Sequence, residues 1–156
     1  MGGIVIKRAS EIYSGFVVYI LSLTFLASGI GKLLEPAGAV NALVITFGIS
    51  YDFSKILVLL LSNAEIALAV LILTKRFRAI SMRFVFGVLV FFLIFLVYVK
   101  TNGIILDDCG CFGGLIKRSI PEAIVDEIVL LAICSGYFII NRKDVKAKRE
   151  LILESN

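Results

Sequence analysis

Two cysteines one residue apart, in the string Asp107-Asp108-Cys109-Gly110-Cys111-Phe112-Gly113-Gly114, are the residues of this chain best suited to chemistry. They sit in a polar, glycine-rich break between two long apolar runs. A Cys-Gly-Cys pair can close into a small, strained disulfide ring, because glycine reaches the backbone angles such a ring needs. A strained, exposed disulfide exchanges readily, as a redox catalyst requires. Asp107 and Asp108 disfavour a thiolate beside them, so the string reads as a disulfide or an oxidant acceptor rather than an acidic attacking thiol. The same sulfurs also suit a soft ion such as copper(I) or zinc, although two cysteines alone do not close a zinc site.

The elements that must hold this string are membrane spans. Sixty per cent of the 156 residues are hydrophobic, and the apolar runs are too long for helices of a soluble core. The runs are continuous rather than alternating, which argues against a barrel. The expected fold is all-α: one transmembrane domain over 1–156, a four-helix bundle with spans near 12–34, 55–74, 79–99 and 122–140 and the cysteine loop at 100–121. The apolar stretch Ala39 to Phe47 is too short to span and reads as an extra interfacial or re-entrant helix between spans 1 and 2. Lys7 and Arg8 followed by an apolar run resemble a signal peptide, but the run is too long and lacks a cleavage pattern, so a retained first span is expected. The basic tail from Arg142 reads as a short amphipathic helix on the membrane surface.

In a soluble protein a net charge of +4 would point to nucleic acid; here the basic residues flank the spans and set topology, with the lipid bilayer as the partner. Lys7, Arg8, Lys75, Arg76, Arg78, Arg83, Arg142, Lys143, Lys146, Lys148 and Arg149 fall on one side, against Lys32, Lys55, Lys100, Lys117 and Arg118 on the other. The excess places both termini in the cytoplasm and the cysteine loop outside the plasma membrane, where disulfides persist. With no histidine, the chain has no imidazole for haem, for a Ser-His-Asp triad or for the common catalytic zinc sets.

Several other residues need a reason. Glu65 lies in mid-span, where a carboxylate costs about 2.5 to 3.5 kcal/mol. It is either a proton-carrying or quinone-facing acid, or a structural acid hydrogen-bonded between helices. Lys32 is a candidate partner for it, but at the end of span 1 snorkelling to the interface is the expected fate. Asp126 and Glu127 open the fourth span, where the helix dipole favours acids, and are expected to cap it. Cys134 is expected to be a small apolar filler, and Ser28, Gly29, Gly31, Ser135 and Gly136 to be packing positions. The aromatic group Phe84, Phe86, Phe91, Phe92 and Phe95 reads as lipid-facing and packing surface, with a quinone pocket as the other use.

Three features in order carry a resemblance: Ser28-Gly29-Ile30-Gly31-Lys32-Leu33 followed by Pro36, mid-membrane Glu65, and Cys109-Gly110-Cys111-Phe112-Gly113. The chain resembles the DoxX-like membrane superfamily, and within it the branch of the methylamine-utilisation protein MauE. That resemblance implies a redox-associated four-span protein that acts in disulfide formation on exported proteins and works with thioredoxin-like partners. It also implies a site at Cys109 and Cys111, supported by Lys32, Glu65, Gly110 and Phe112. The leading expectation is a thiol:disulfide oxidoreductase that takes electrons from an exported partner and passes them to a quinone, with no metal. Two alternatives stand beside it: a non-catalytic subunit or assembly factor of a larger membrane complex with the cysteines as a structural clip, and a soft-metal carrier.

Overall fold

The computed structural model describes residues 2–104, 106, 109–111 and 119–154, with side chains described only within 10–141. Among the described residues five helices follow one another: α1 (Gly2–Leu34), α2 (Ala37–Phe47), α3 (Tyr51–Leu73), α4 (Arg78–Thr101) and α5 (Ile120–Glu154). Four of them contain segments long and apolar enough to cross a membrane: Ser10–Leu34, Tyr51–Leu73, Arg78–Thr101 and Ile120–Asn141. The chain is a multi-pass membrane protein built as an all-helical bundle. Asp107, Asp108, Phe112, Gly113, Lys117 and Arg118 lie outside the described residues.

The boundaries have local causes. Pro36 has no N–H to continue α1, and the chain restarts at once as α2. α2 stops at Gly48, whose left-handed backbone (φ 65°) lets its N–H reach back to Val44 O at 2.8 Å. α3 then starts four residues before the expected Lys55, because Tyr51 to Ser54 extend the same helix. The basic tail does not form a separate surface helix: α5 continues without a break to Glu154.

The centre of the bundle draws on all four spans. Val17, Leu21 and Phe25 of α1 meet Ala69 and Ile72 of α3, Met82, Val85 and Leu89 of α4, and Cys134 and Tyr137 of α5. Tyr19, Leu23, Leu60, Phe84 and Phe91 point outward, as lipid tails solvate such side chains well. Since lipid is as apolar as leucine, close packing and interhelical hydrogen bonds must hold the spans together. The Ser22 hydroxyl supplies one such bond, donating to Ala69 O at 2.9 Å. Gly29 supplies close approach, for a Cβ there would stand 2.7 Å from Ile66 Cγ1 and 2.9 Å from Ser62 O. Gly29→Ala is therefore expected to force α1 and α3 apart at a cost of about 1–3 kcal/mol, read as a lowered unfolding midpoint in detergent; an unchanged midpoint would mean the helices are less closely packed here.

α2 lies over the first half of α3, with Ala39 and Val40 against Val58. Its last residue, Phe47, reaches α4, 5.9 Å from the Phe95 ring and 6.5 Å from Tyr98. The short helix thus roofs the place where α1 ends, and this roof decides the fate of Lys32.

Candidate functional site

Ser28 and Lys32 are four residues apart, so α1 presents them on one face, and Gly29 brings that face against α3 where Glu65 projects. Lys32 Nζ donates to Glu65 Oε1 at 2.7 Å, to Glu65 Oε2 at 2.8 Å and to Ser28 Oγ at 2.7 Å. Lys32 is 1 % exposed and Glu65 3 %. Snorkelling, the expected fate of Lys32, is overturned: α1 ends beneath α2, so the ammonium has Ala39, Leu43 and Phe47 about it instead of the interface. It also lies 5.1 Å from the centre of the Phe92 ring, a favourable place for a cation. Each buried ion costs several kcal/mol of desolvation, which only close contact and further hydrogen bonds can offset. All three ammonium protons have acceptors here, and both carboxylate oxygens have donors.

Ser28 ties this pair to the cysteines. Its oxygen lies 2.9 Å from Glu65 Oε2 and 2.6 Å from Cys111 O. A hydroxyl has one proton and can give it to only one of these acceptors at a time. Read from sequence as a packing residue, Ser28 is the junction between the ion pair and the cysteine turn.

The turn itself is more deeply set than the sequence promised. Cys109 is 4 % exposed and packs with Leu96 of α4 and Ala123 of α5, while Cys111 is half-buried. Gly110 has φ +69°, and a Cβ on it would stand 2.5 Å from Ala39 Cα and 2.7 Å from Ala39 N. The turn is thus pressed against the α2 backbone. Both residues are thiols, not joined in a disulfide. Cys111 N–H points at Cys109 Sγ at 3.5 Å, and Cys111 Sγ lies 3.9 Å from Cys109 O. The Cys111 thiol is held well above the usual thiol range, first by its hydrogen bond to Cys109, then by burial and by the negative charge that Cys109 and Glu127 can carry, with Lys32 pulling the other way.

Two cavities flank the turn. The first, about 60 Å³, is lined by Ser28, Lys32, Glu65, Cys109, Cys111, Asp126 and Glu127 on its polar side and by Phe25, Val88, Leu89 and Phe92 on its apolar side. The second, about 80 Å³, is apolar, with Ala42, Leu43, Phe47, Phe91, Phe92 and Phe95 around Lys32, Cys109 and Gly110. Cys109 and Lys32 face both; Cys111 faces only the first. The aromatic group expected from sequence divides accordingly: Phe92 and Phe95 reach the site, Phe91 borders it from the lipid side, Phe84 points away, and Phe86 packs on Phe138 at 6.0 Å.

The acids of α5 also depart from expectation. Glu122, not Asp126 or Glu127, meets the start of the helix, its Oε2 accepting from Ser119 N–H at 3.1 Å. Asp126 and Glu127, a little over one turn further in, line the first cavity instead. Glu127 Oε1 is buried with no hydrogen-bond partner among the described residues. Their place more than one turn inside the helix was the one signal that separated them from a cap. Cys134, 0 % exposed in the central core, is the apolar filler that its sequence context indicated. Among the described residues no three His, Cys, Asp or Glu side chains are grouped as a metal site would need.

Fold and site together define a four-span membrane bundle whose buried lysine–glutamate pair supports a two-cysteine turn. The chain belongs to the family of the methylamine utilisation protein MauE, whose model matches residues 10–140. No curated protein and no solved structure matches it.

Proposed function

We propose that this chain is a membrane thiol:disulfide redox protein. In this reading the cysteine turn faces outside the plasma membrane, both termini are cytoplasmic, and the pair takes electrons from an exported thiol protein, such as a thioredoxin-like partner. The observation that carries the reading is the juxtaposition of the Cys109–Cys111 turn with a buried, fully hydrogen-bonded Lys32–Glu65 pair through Ser28. A loop clip needs no such support.

With the pair oxidised, a partner thiolate attacks Cys111, the more accessible sulfur, and the S–S bond to Cys109 breaks. Cys109 leaves as a thiolate beside the Lys32 ammonium, which favours the negative charge. The partner's second thiol then displaces Cys111, so the partner leaves oxidised and the pair is left as two thiols. Reoxidation releases two electrons and two protons. The apolar, aromatic cavity against Cys109 suits a flat two-electron acceptor dissolved in the membrane, a quinone, which takes up both electrons and two protons as it becomes a hydroquinone.

Single serine variants test the reading. Cys109→Ser and Cys111→Ser are each expected to abolish exchange while still accumulating in the membrane, because four spans hold the fold. Cys109→Ser leaves the accessible sulfur and should trap a mixed disulfide with a partner, visible on a non-reducing gel; Cys111→Ser should trap far less. Full activity in both variants, or disappearance of both from the membrane, would reject the redox role in favour of a clip in a larger complex.

A further inference from the structure

Oxidation of two thiols must shed two protons, and three acids line the first cavity: buried Glu65 and half-buried Asp126 and Glu127. Glu65 is the obvious acceptor from sequence, but both of its oxygens are engaged by Lys32 and Ser28. Neutralising it would strand a buried ammonium. Glu127 is placed differently: it lines the cavity that holds both cysteines, and its Oε1 is buried with nothing to bond to among the described residues. A buried carboxylate oxygen without a donor is costly, and such groups in native proteins call for an explanation. The cavity offers about 60 Å³, and one water needs about 10–15 Å³. Water can therefore connect Glu127 to the thiols.

We propose that Glu127 takes the proton of the Cys111 thiol as the Cys109–Cys111 disulfide forms; the inference rests on the redox reading above. Cys111 holds its proton firmly, so an internal acceptor is what the step lacks. As the S–S bond forms, both electrons pass to the quinone. The Cys109 proton leaves toward the aromatic cavity, and the Cys111 proton crosses to Glu127 and passes on through cavity water, so that the hydroquinone gains the two protons the thiols lose. Among the described residues, the titratable groups that share this cavity with Glu127 are Lys32 from α1, Glu65 from α3, Cys109 and Cys111 from the turn and Asp126 from its own helix, while α4 offers Val88, Leu89 and Phe92.

The full chain in lipid nanodiscs, with menadione as the acceptor, provides the test. Reduced protein is mixed with menadione, and the oxidation rate is followed across pH. In the unchanged protein the rate should rise with pH as Glu127 loses its own proton. Glu127→Gln should slow oxidation by about 10²-fold or more and abolish that rise, with an unchanged unfolding midpoint; Glu127→Asp should recover part of the rate and restore the rise. An unaltered rate and profile in Glu127→Gln, or a Glu127→Asp variant as slow and pH-independent as the glutamine, overturns the proposal and leaves the redox reading intact. If neither menadione nor diamide produces an intramolecular disulfide by mass spectrometry, both fall.

Discussion

Lys32→Met is expected to destabilise the bundle by about 3–5 kcal/mol, because it leaves the Glu65 carboxylate buried without its counter-charge. The size of the effect follows from burial. An exposed ion pair is worth about 0–1 kcal/mol, since water replaces either partner. Lys32 and Glu65 are 1 % and 3 % exposed, so bulk water cannot take the place of either partner. The companion prediction separates the pair's geometry from its charge. In the double variant Lys32→Met, Glu65→Leu, two apolar side chains of similar volume fill the same space and no charge is stranded, so most of the lost stability should return. Unfolding in detergent, followed for the wild type, both single variants and the double, gives the cycle directly. A single-variant loss below about 1 kcal/mol would place this pair with exposed ones and remove the reason for the burial of Lys32. A restored double variant should remain inactive in disulfide exchange, as Ser28 would no longer be held between the pair and Cys111 O.

What could be read from the sequence, and what could not, divides by the range of the interaction. The spans were legible because each is a continuous apolar run whose length alone decides its fate. The start of α3 was misplaced because Lys55 looks like an interfacial boundary, whereas Tyr51 to Ser54 simply extend the same helix. Glu65 announced itself, since an acid in mid-span must be compensated. Its partner was visible as a candidate, but the burial of Lys32 depends on α2 packing over the end of α1, and no local pattern encodes that. Ser28 and Glu127 were misread for a related reason: a serine among glycines looks like helix packing, and an acid near a helix start looks like a cap. The cavity shows what each of them lines, and for Glu127 a place more than one turn inside the helix was the one advance signal. The spacing of Cys109 and Cys111 was plain; their depth was not, because it rests on a contact between the turn and the distant Ala39.

That contact makes Gly110→Ala the most disruptive single-methyl change expected at the site. Two penalties coincide. Gly110 has φ +69°, where an L-residue carries a cost of about 1–2 kcal/mol. The added Cβ would also stand 2.5 Å from Ala39 Cα and 2.7 Å from Ala39 N. Those are backbone atoms, so no rotamer change can clear them, and either α2 or the turn must move. The turn is the shorter element, so it should lift away. Cys109 would then leave its seat against Leu96 and Ala123, and the Ser28 bond to Cys111 O would break. The expected outcome is a folded, membrane-inserted protein that has lost exchange activity and whose Cys109, closed to reagents in the wild type, reacts readily with a maleimide. Cys134, in the central core, should stay unreactive and serves as the internal control. A second variant guards the interpretation: because the clash is with the main chain, Ala39→Gly cannot relieve it, and the double variant Gly110→Ala, Ala39→Gly should behave like Gly110→Ala alone. Rescue by Ala39→Gly, or a Cys109 that remains closed in Gly110→Ala, would show that the turn does not rest on the α2 backbone.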